Sequence, residues 1–247
     1  MGYFSRQMTD SCKTTAYEAI REAILRGDLR EGDRVSEYAF AKKLELSRAP
    51  IREAINQLVT QGLLNQVPGS GTFVRKLNFD ELEELYELRE WLECSALVSP
   101  RFSLTKPDLD AIQEACEEIA RLIEETEQAT QPTESEKTLF IQRLYLADAR
   151  FHLLILRGAR NKLALQTMQD RFILELIWSS NRVSLEEQSL ARLHKEHQEI
   201  FQQLQQREYS AASTLLRKHI QFAINHYRDL YHDQVNDVLL DHCFAVR

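Results

Sequence analysis

The chain has little of what interrupts helices: five prolines and seven glycines in 247 residues. Long segments free of both favour helices over many short strands. No apolar run approaches the ~18 residues of a membrane-spanning helix, and Met1 to Asp10 lack the apolar core of a secretion signal. A cytoplasmic protein with no membrane partner is expected. The four cysteines, Cys12, Cys94, Cys116 and Cys243, form no C-x-x-C pair and read as reduced, mostly structural thiols. Positive charge is also scarce, with a net of −7, which looks wrong for a binder of nucleic acid. The distribution is uneven, however. Residues 1–76 carry twelve Lys and Arg against nine Asp and Glu, a net of +3, and the rest of the chain carries −10. A basic head on an acidic body lets one face meet phosphate while the body repels it. The 43% hydrophobic share is enough for a real core.

The apolar periodicity predicts helices over 14–26, 37–44 and 47–59. Gly27 is expected to close the first, and Ser36 and Ser47 precede the next two. Pro50 falls in the first turn of the third, where a missing N–H costs little. Leu64 to Val67 and Thr72 to Arg75 read as short strands around the turn Pro68-Gly69-Ser70-Gly71. Helix, helix, helix, hairpin is the order of a winged helix-turn-helix. From Asp80 the pattern is helix after helix: from 80 to about 96, then about 108–126, 137–157, 161–178, 186–206 and 209–231. The expected fold is therefore mostly α, with a winged helix-turn-helix over 10–76, a linker at 77–79, an antiparallel all-helical bundle over 80–235 and a tail over 236–247.

The third helix carries the first chemistry. Arg48, Arg52 and Asn56 repeat every fourth residue on a face away from the apolar stripe Ile51, Ala54, Ile55, Leu58. A guanidinium is a planar fork able to grip guanine O6/N7 or a phosphate. Ser47 and the free N–H groups of the first turn suit a phosphate. Gly69, Ser70, Gly71 and Thr72 permit close backbone approach in the wing, with Arg75 and Lys76 adding charge. Residues 14–75 resemble the N-terminal domain of the GntR family of bacterial regulators. The resemblance rests on Gly32-Asp33-Arg34-Val35-Ser36-Glu37, Leu44-Glu45-Leu46-Ser47-Arg48-Ala49-Pro50-Ile51-Arg52-Glu53-Ala54-Ile55, Gly62-Leu63-Leu64 and Gly71-Thr72-Phe73-Val74. It implies double-stranded DNA as partner, with Ser47, Arg48, Arg52 and Gly71 touching it. Arg34, Ala49, Gly69 and Thr72 complete the candidate set. Tyr38-Ala39 stands where many members place an arginine, and Glu45 replaces a usual glycine.

The second constellation lies among the seven histidines, all in the C-terminal half. Asp148 and His152, four apart, project from one helix face, and His197 and His219 lie on two further helices. Three imidazoles and a carboxylate suit Zn²⁺, Ni²⁺, Fe²⁺ or Mn²⁺. On spacing alone, a surface hydrogen-bonded pair remains open for Asp148/His152, and His194 is a rival ligand. Residues 80–232 resemble the FadR-type effector domain (FCD) in its metal-binding branch. The phrases that carry it are Leu85-Tyr86-Glu87-Leu88-Arg89-Glu90-Trp91-Leu92-Glu93, Asp148-Ala149-Arg150-Phe151-His152, and Glu196-His197-Gln198-Glu199-Ile200 followed by His219. The resemblance implies that Asp148, His152, His197 and His219 ligate a divalent metal; zinc is the expected one, with Ni²⁺, Fe²⁺ or Mn²⁺ open. Arg89 is expected either to meet a carboxylate effector or to pair with Glu93 or another carboxylate, and Asn161 to cap a helix.

These readings point to a homodimeric repressor or activator on an inverted-repeat operator, modulated by a small organic acid. The alternative from another class is a metal-dependent hydrolase using the same site of three histidines and one aspartate, for which His232-Asp233 supplies a dipeptide found in helical phosphohydrolases.

Overall fold

The computed structural model describes residues 2–128, 131–179 and 187–244, with side chains described for 13–128, 131–133, 135–179 and 189–231. His232 and Asp233 thus lie outside the described side chains. The chain divides into two compact units, Met1–Leu77 with Phe172–Ser180, and Asn78–Arg171 with Asn181–Arg247.

In the first unit α1 (Gly2–Leu25), α2 (Glu37–Leu44) and α3 (Arg48–Thr60) precede a small sheet of β1 (Arg34–Val35), β2 (Leu64–Val67) and β3 (Gly71–Val74). The sheet order is β1-β3-β2, antiparallel throughout. The two-residue β1 was not expected, because so short a strand has no periodicity to read. The stripe Ala16, Ile20, Ala23, Ile24 is buried, as are Ile51, Ala54, Ile55 and Leu58 of α3. α1 packs on α3 through them. Helix α1 extends N-terminal of the expected Thr14, and Gly27 beyond its end takes φ 72°, a conformation that costs a glycine nothing. Ser36 caps α2 by accepting the Ala39 N–H at 3.2 Å. Ser47 stands at the N-cap of α3 without a side-chain cap bond. Glu45 adopts the left-handed conformation (φ 55°, ψ 35°) as C-cap of α2 and donates its N–H to Ala41 O. The turn keeps the backbone a glycine would take, with a side chain added.

The second unit begins with α4 (Phe79–Arg89), which runs without a break into a π-helical turn, Glu90–Cys94, and the short α5 (Ser95–Leu97). Asn78 opens α4 with a reciprocal cap: its side chain accepts the Glu81 N–H at 2.8 Å while Glu81 accepts the Asn78 N–H at 3.1 Å. α6 (Lys106–Gln128), α7 (Glu134–Arg157), α8 (Lys162–Ser179), α9 (Glu187–Gln205) and α10 (Tyr209–Phe244) follow. Ile119, Leu122 and Ile123 of α6, Leu144 and Ala147 of α7 and Leu190 of α9 form one buried cluster. Thr133 caps α7 by the same reciprocal arrangement with Glu136. Asn161 accepts the Ala164 N–H at 3.2 Å at the start of α8, the capping role expected of it.

Phe172 to Ser179 are all buried and group with the first unit. Periodicity cannot assign partners to a helical segment buried on every side. Cys94 and Cys116 are free and buried. Burial pushes their thiols up to about 11 and about 12, which leaves them unreactive.

Replacing Asn78 with alanine removes one cap acceptor from α4 and should lower stability by about 1 kcal/mol. An unchanged urea midpoint at constant m would show that the cap contributes nothing.

Candidate DNA interface and metal centre

The first unit presents its candidate DNA residues on α3, β1 and the wing. Arg34, Ser47, Arg48, Ala49, Arg52 and Gly69 are exposed. Pro50, by contrast, is buried in the first turn of α3. Arg48 and Arg52 side chains keep 65% and 60% of their accessibility, so neither is locked in the core. Both face Glu37 of α2. Arg52 donates from Nε and Nη2 to the two Glu37 oxygens at 3.2 and 3.1 Å, and Arg48 Nε lies 3.8 Å from Glu37 Oε2. The hydrogen bond from Arg52 holds the Glu37 carboxyl below the usual range. Glu37 was missed as a partner because the two sides of the pair come from different helices.

In the wing Gly71 has φ 126°, and a Cβ there would stand 2.9 Å from Arg34 Nε. Arg34 therefore lies over the glycine, on the strand paired with β3. Thr72 is the candidate of this set that the structure buries. Alternation along β3 turns Thr72 and Val74 inward, and Thr72 is only 9% exposed.

In the second unit four expected ligands come from three helices. Asp148 and His152 are on α7, His197 on α9 and His219 on α10. One ligand atom from each falls within 4.8 Å of all the others. His152 and His197 are fully buried and His219 nearly so. The three imidazole rings lie 5.7, 5.2 and 4.7 Å apart, centroid to centroid. Asp148 Oδ1 is 3.1 Å from His197 Nε2, a contact without hydrogen-bond geometry, and 3.7 Å from His152 Nε2. Asp148 Oδ1 and both His197 ring nitrogens are buried with no hydrogen bond. Sealed polar atoms of this kind are costly unless something completes them. Two donors each 2.0–2.2 Å from one tetrahedral cation sit roughly 3.4 Å apart, and the separations here bracket that value. The residues present fit a divalent metal. His194, the rival ligand, is not in the group.

The electrostatics of the cluster are uneven. Burial works against charge on Asp148, but His152 and His197 outweigh it and hold the carboxyl well below its usual range. Burial also opposes charge on His152, yet Glu93 and Asp148 raise it to about 9. At His197 burial prevails and lowers the ring to about 4. Arg89, one of whose expected roles was to meet an effector carboxylate, meets a protein carboxylate: Nε donates to Glu93 Oε1 at 3.1 Å, with both side chains buried. That is the other reading left open for it.

With this geometry in place, comparison with known proteins is decisive. Residues 13–74 match the model of bacterial regulatory proteins, gntR family, and residues 84–222 match that of the FCD domain. The chain belongs to the GntR family, in the branch that carries an FCD domain. It is a DNA-binding regulator of transcription with an effector-binding C-terminal domain, not an enzyme. Nothing supports the hydrolase alternative. The Nta operon transcriptional regulator of Aminobacter aminovorans is 26% identical over 214 residues, 85% of this chain and 91% of its own. The HTH-type transcriptional regulator LutR of Bacillus subtilis is 28% identical over 196 residues, 72% of this chain and 84% of its own. The fold is shared with E. coli McbR/YncC, at TM-score 0.72 and 18% identity over 90% of this chain and 98% of that one. A GntR regulator from Rhodococcus sp. RHA1 gives TM-score 0.70 at 22% identity over 87% and 97%. No described helix of this GntR chain is long and apolar enough to cross a membrane.

Because Thr72 points inward, Thr72→Val should leave DNA affinity unchanged at fixed salt. A loss of tenfold or more in a titration against a bound duplex would place that hydroxyl at the interface after all.

Proposed function

We propose that the protein acts as a homodimer on an inverted-repeat operator, each α3 lying in a major groove, and that a small carboxylate bound at a divalent metal modulates this binding. The observation that carries the reading is the sealed convergence of Asp148, His152, His197 and His219, joined in one chain to a helix with exposed Arg48 and Arg52. Helix-turn-helix dimers read palindromes because protein and operator share a two-fold axis. An apolar stripe supports the dimer: Leu88 and Leu92 are half-buried, while Trp91 and Val98 stay 62% and 56% exposed. A surface tryptophan beside other apolar side chains is characteristic of an interface.

Three imidazoles and one carboxylate suit Zn²⁺ first, and Ni²⁺, Fe²⁺ or Mn²⁺ are served by the same donors. The cation, when bound, supplies an electrophilic centre for an anionic ligand. Asp148 offsets one of its two charges. Glu93 is balanced by Arg89 and Glu196 by Arg192. The donor set thus leaves one net positive charge, which an organic acid neutralises. A ligand that binds one packing of the helices more tightly shifts the population toward it. The consequence for DNA is a changed spacing of the two heads, transmitted through residues 77–79.

Selection of bound sequences from random duplexes, with and without candidate carboxylates, tests the reading. A palindromic consensus whose occupancy responds to one acid is expected. Arg52→Ala should weaken binding to that consensus by about 1–3 kcal/mol if Arg52 reads a base, and unchanged affinity at constant salt would remove it from the interface. His197→Ala with His219→Ala should abolish stoichiometric metal. Full retention by elemental analysis would overturn the ligand set.

A further inference from the structure

An imidazole that binds a cation through one ring nitrogen carries its proton on the other, and a buried N–H needs an acceptor. Two histidines of the cluster have one. His152 Nδ1 lies 2.6 Å from Glu93 Oε2, and His219 Nδ1 lies 2.9 Å from Glu196 Oε2. Neither glutamate belongs to the group of converging donors. Each glutamate is held in turn by an arginine four residues earlier on its own segment of chain. Arg89 Nε donates to Glu93 Oε1 at 3.1 Å, and Arg192 Nε donates to Glu196 Oε1 at 2.6 Å. The same chain of arginine, glutamate and histidine therefore occurs twice, entering the site from the α4–π segment and from α9.

The first of these chains has its backbone fixed as well. Glu93 sits in the π-helical turn Glu90–Cys94, where the α-helical pairing of carbonyl and N–H is displaced by one residue. Ser213 of α10 donates to Cys94 O at 3.0 Å. Arg217 and Gln221, also of α10, hold Glu90. The helix that provides His219 thus also pins the turn that carries Glu93.

We propose that Glu93 and Glu196 are the positioning residues of the metal centre: each takes the Nδ1 proton of one histidine and so commits the Nε2 of His152 and of His219 to the cation, with Arg89 and Arg192 as their counter-ions. Arg89 serves the site through Glu93 and is not the anchor of the effector. The inference rests on the metal reading above and adds to it which atoms outside the ligand set control affinity.

The test uses the full chain, with Zn²⁺ and Co²⁺ as probes and a chromophoric chelator as competitor. Glu93→Gln alone leaves the buried Arg89 guanidinium without its counter-charge, so it is paired with Arg89→Met; Glu196→Gln, nearer the surface, is the independent second variant. Glu118→Gln, in an exposed pair with Arg150, is the control. Exchange of the carboxylate behind a ligating histidine for a neutral, weaker carboxamide acceptor is expected to weaken Zn²⁺ binding by about 10–100-fold in each variant. The visible bands of the Co²⁺ form should change in position or intensity, while the metal-free melting temperature of Glu196→Gln and the Zn²⁺ affinity of the control stay at the wild-type value. Wild-type Zn²⁺ affinity and an unaltered Co²⁺ spectrum in both variants would overturn the inference and leave the metal reading standing. A wild-type chain that takes up no Zn²⁺ would end both.

Discussion

A carboxylate with no access to water is tolerable only when donors or cations close on it. Glu93 is fully buried, and its two oxygens take Arg89 on one side and His152 on the other. Much of the second unit follows from that requirement. The residue that meets Glu93 from α7 is also a candidate ligand, so α7 must lie where its His152 can face both the glutamate and the histidines of α9 and α10. The π turn and its links to α10 keep the glutamate from being withdrawn. Burial favours the neutral forms, but opposite charges at short range reverse this for Glu93, which stays below the ordinary carboxylate range despite complete burial. A buried ionic network of this kind gives little net stability. What it fixes is orientation.

The head solves a different problem. Arg48 and Arg52 stay at the surface, and Glu37 holds them loosely there. An exposed ion pair is worth little and is screened by salt, so phosphate or a base can replace the glutamate at small cost. The bidentate contact from Nε and Nη2 of Arg52 leaves the Nη1 side of the fork open. One glutamate restrains two side chains, which lowers the rotamer freedom that either would give up on binding an anion.

Much of this was legible in the sequence, and the reasons differ by element. α3 was readable because its apolar stripe and Pro50 obey local rules. The candidate quartet Asp148, His152, His197 and His219 was only weakly legible without the resemblance, since spacing within α7 says nothing of α9 or α10; their convergence is tertiary. β1 escaped because two residues have no period. The burial of Thr72 was not legible because the glycines around it mark an approachable wing, whereas the face its side chain takes is set by the pairing of β3 with its neighbours. Glu196 was quoted in a motif without a role, yet Arg-x-x-x-Glu occurs at both Arg89 and Arg192. That repeated spacing was the signal available for the partners of the two histidines. Glu37 left no such trace, since its arginines lie on another helix.

The wing glycine carries one more implication. At Gly71 the backbone is in a region closed to other residues, and the space beside its α-carbon is filled by the Arg34 guanidinium. Any side chain at 71 displaces Arg34 from its place against the sheet, and relieving that crowding by shortening Arg34 does nothing for the backbone. The dependence between these two positions, far apart in the chain, thus runs one way: a smaller residue at 34 would leave the glycine's surroundings open, whereas a side chain at 71 would force the arginine aside.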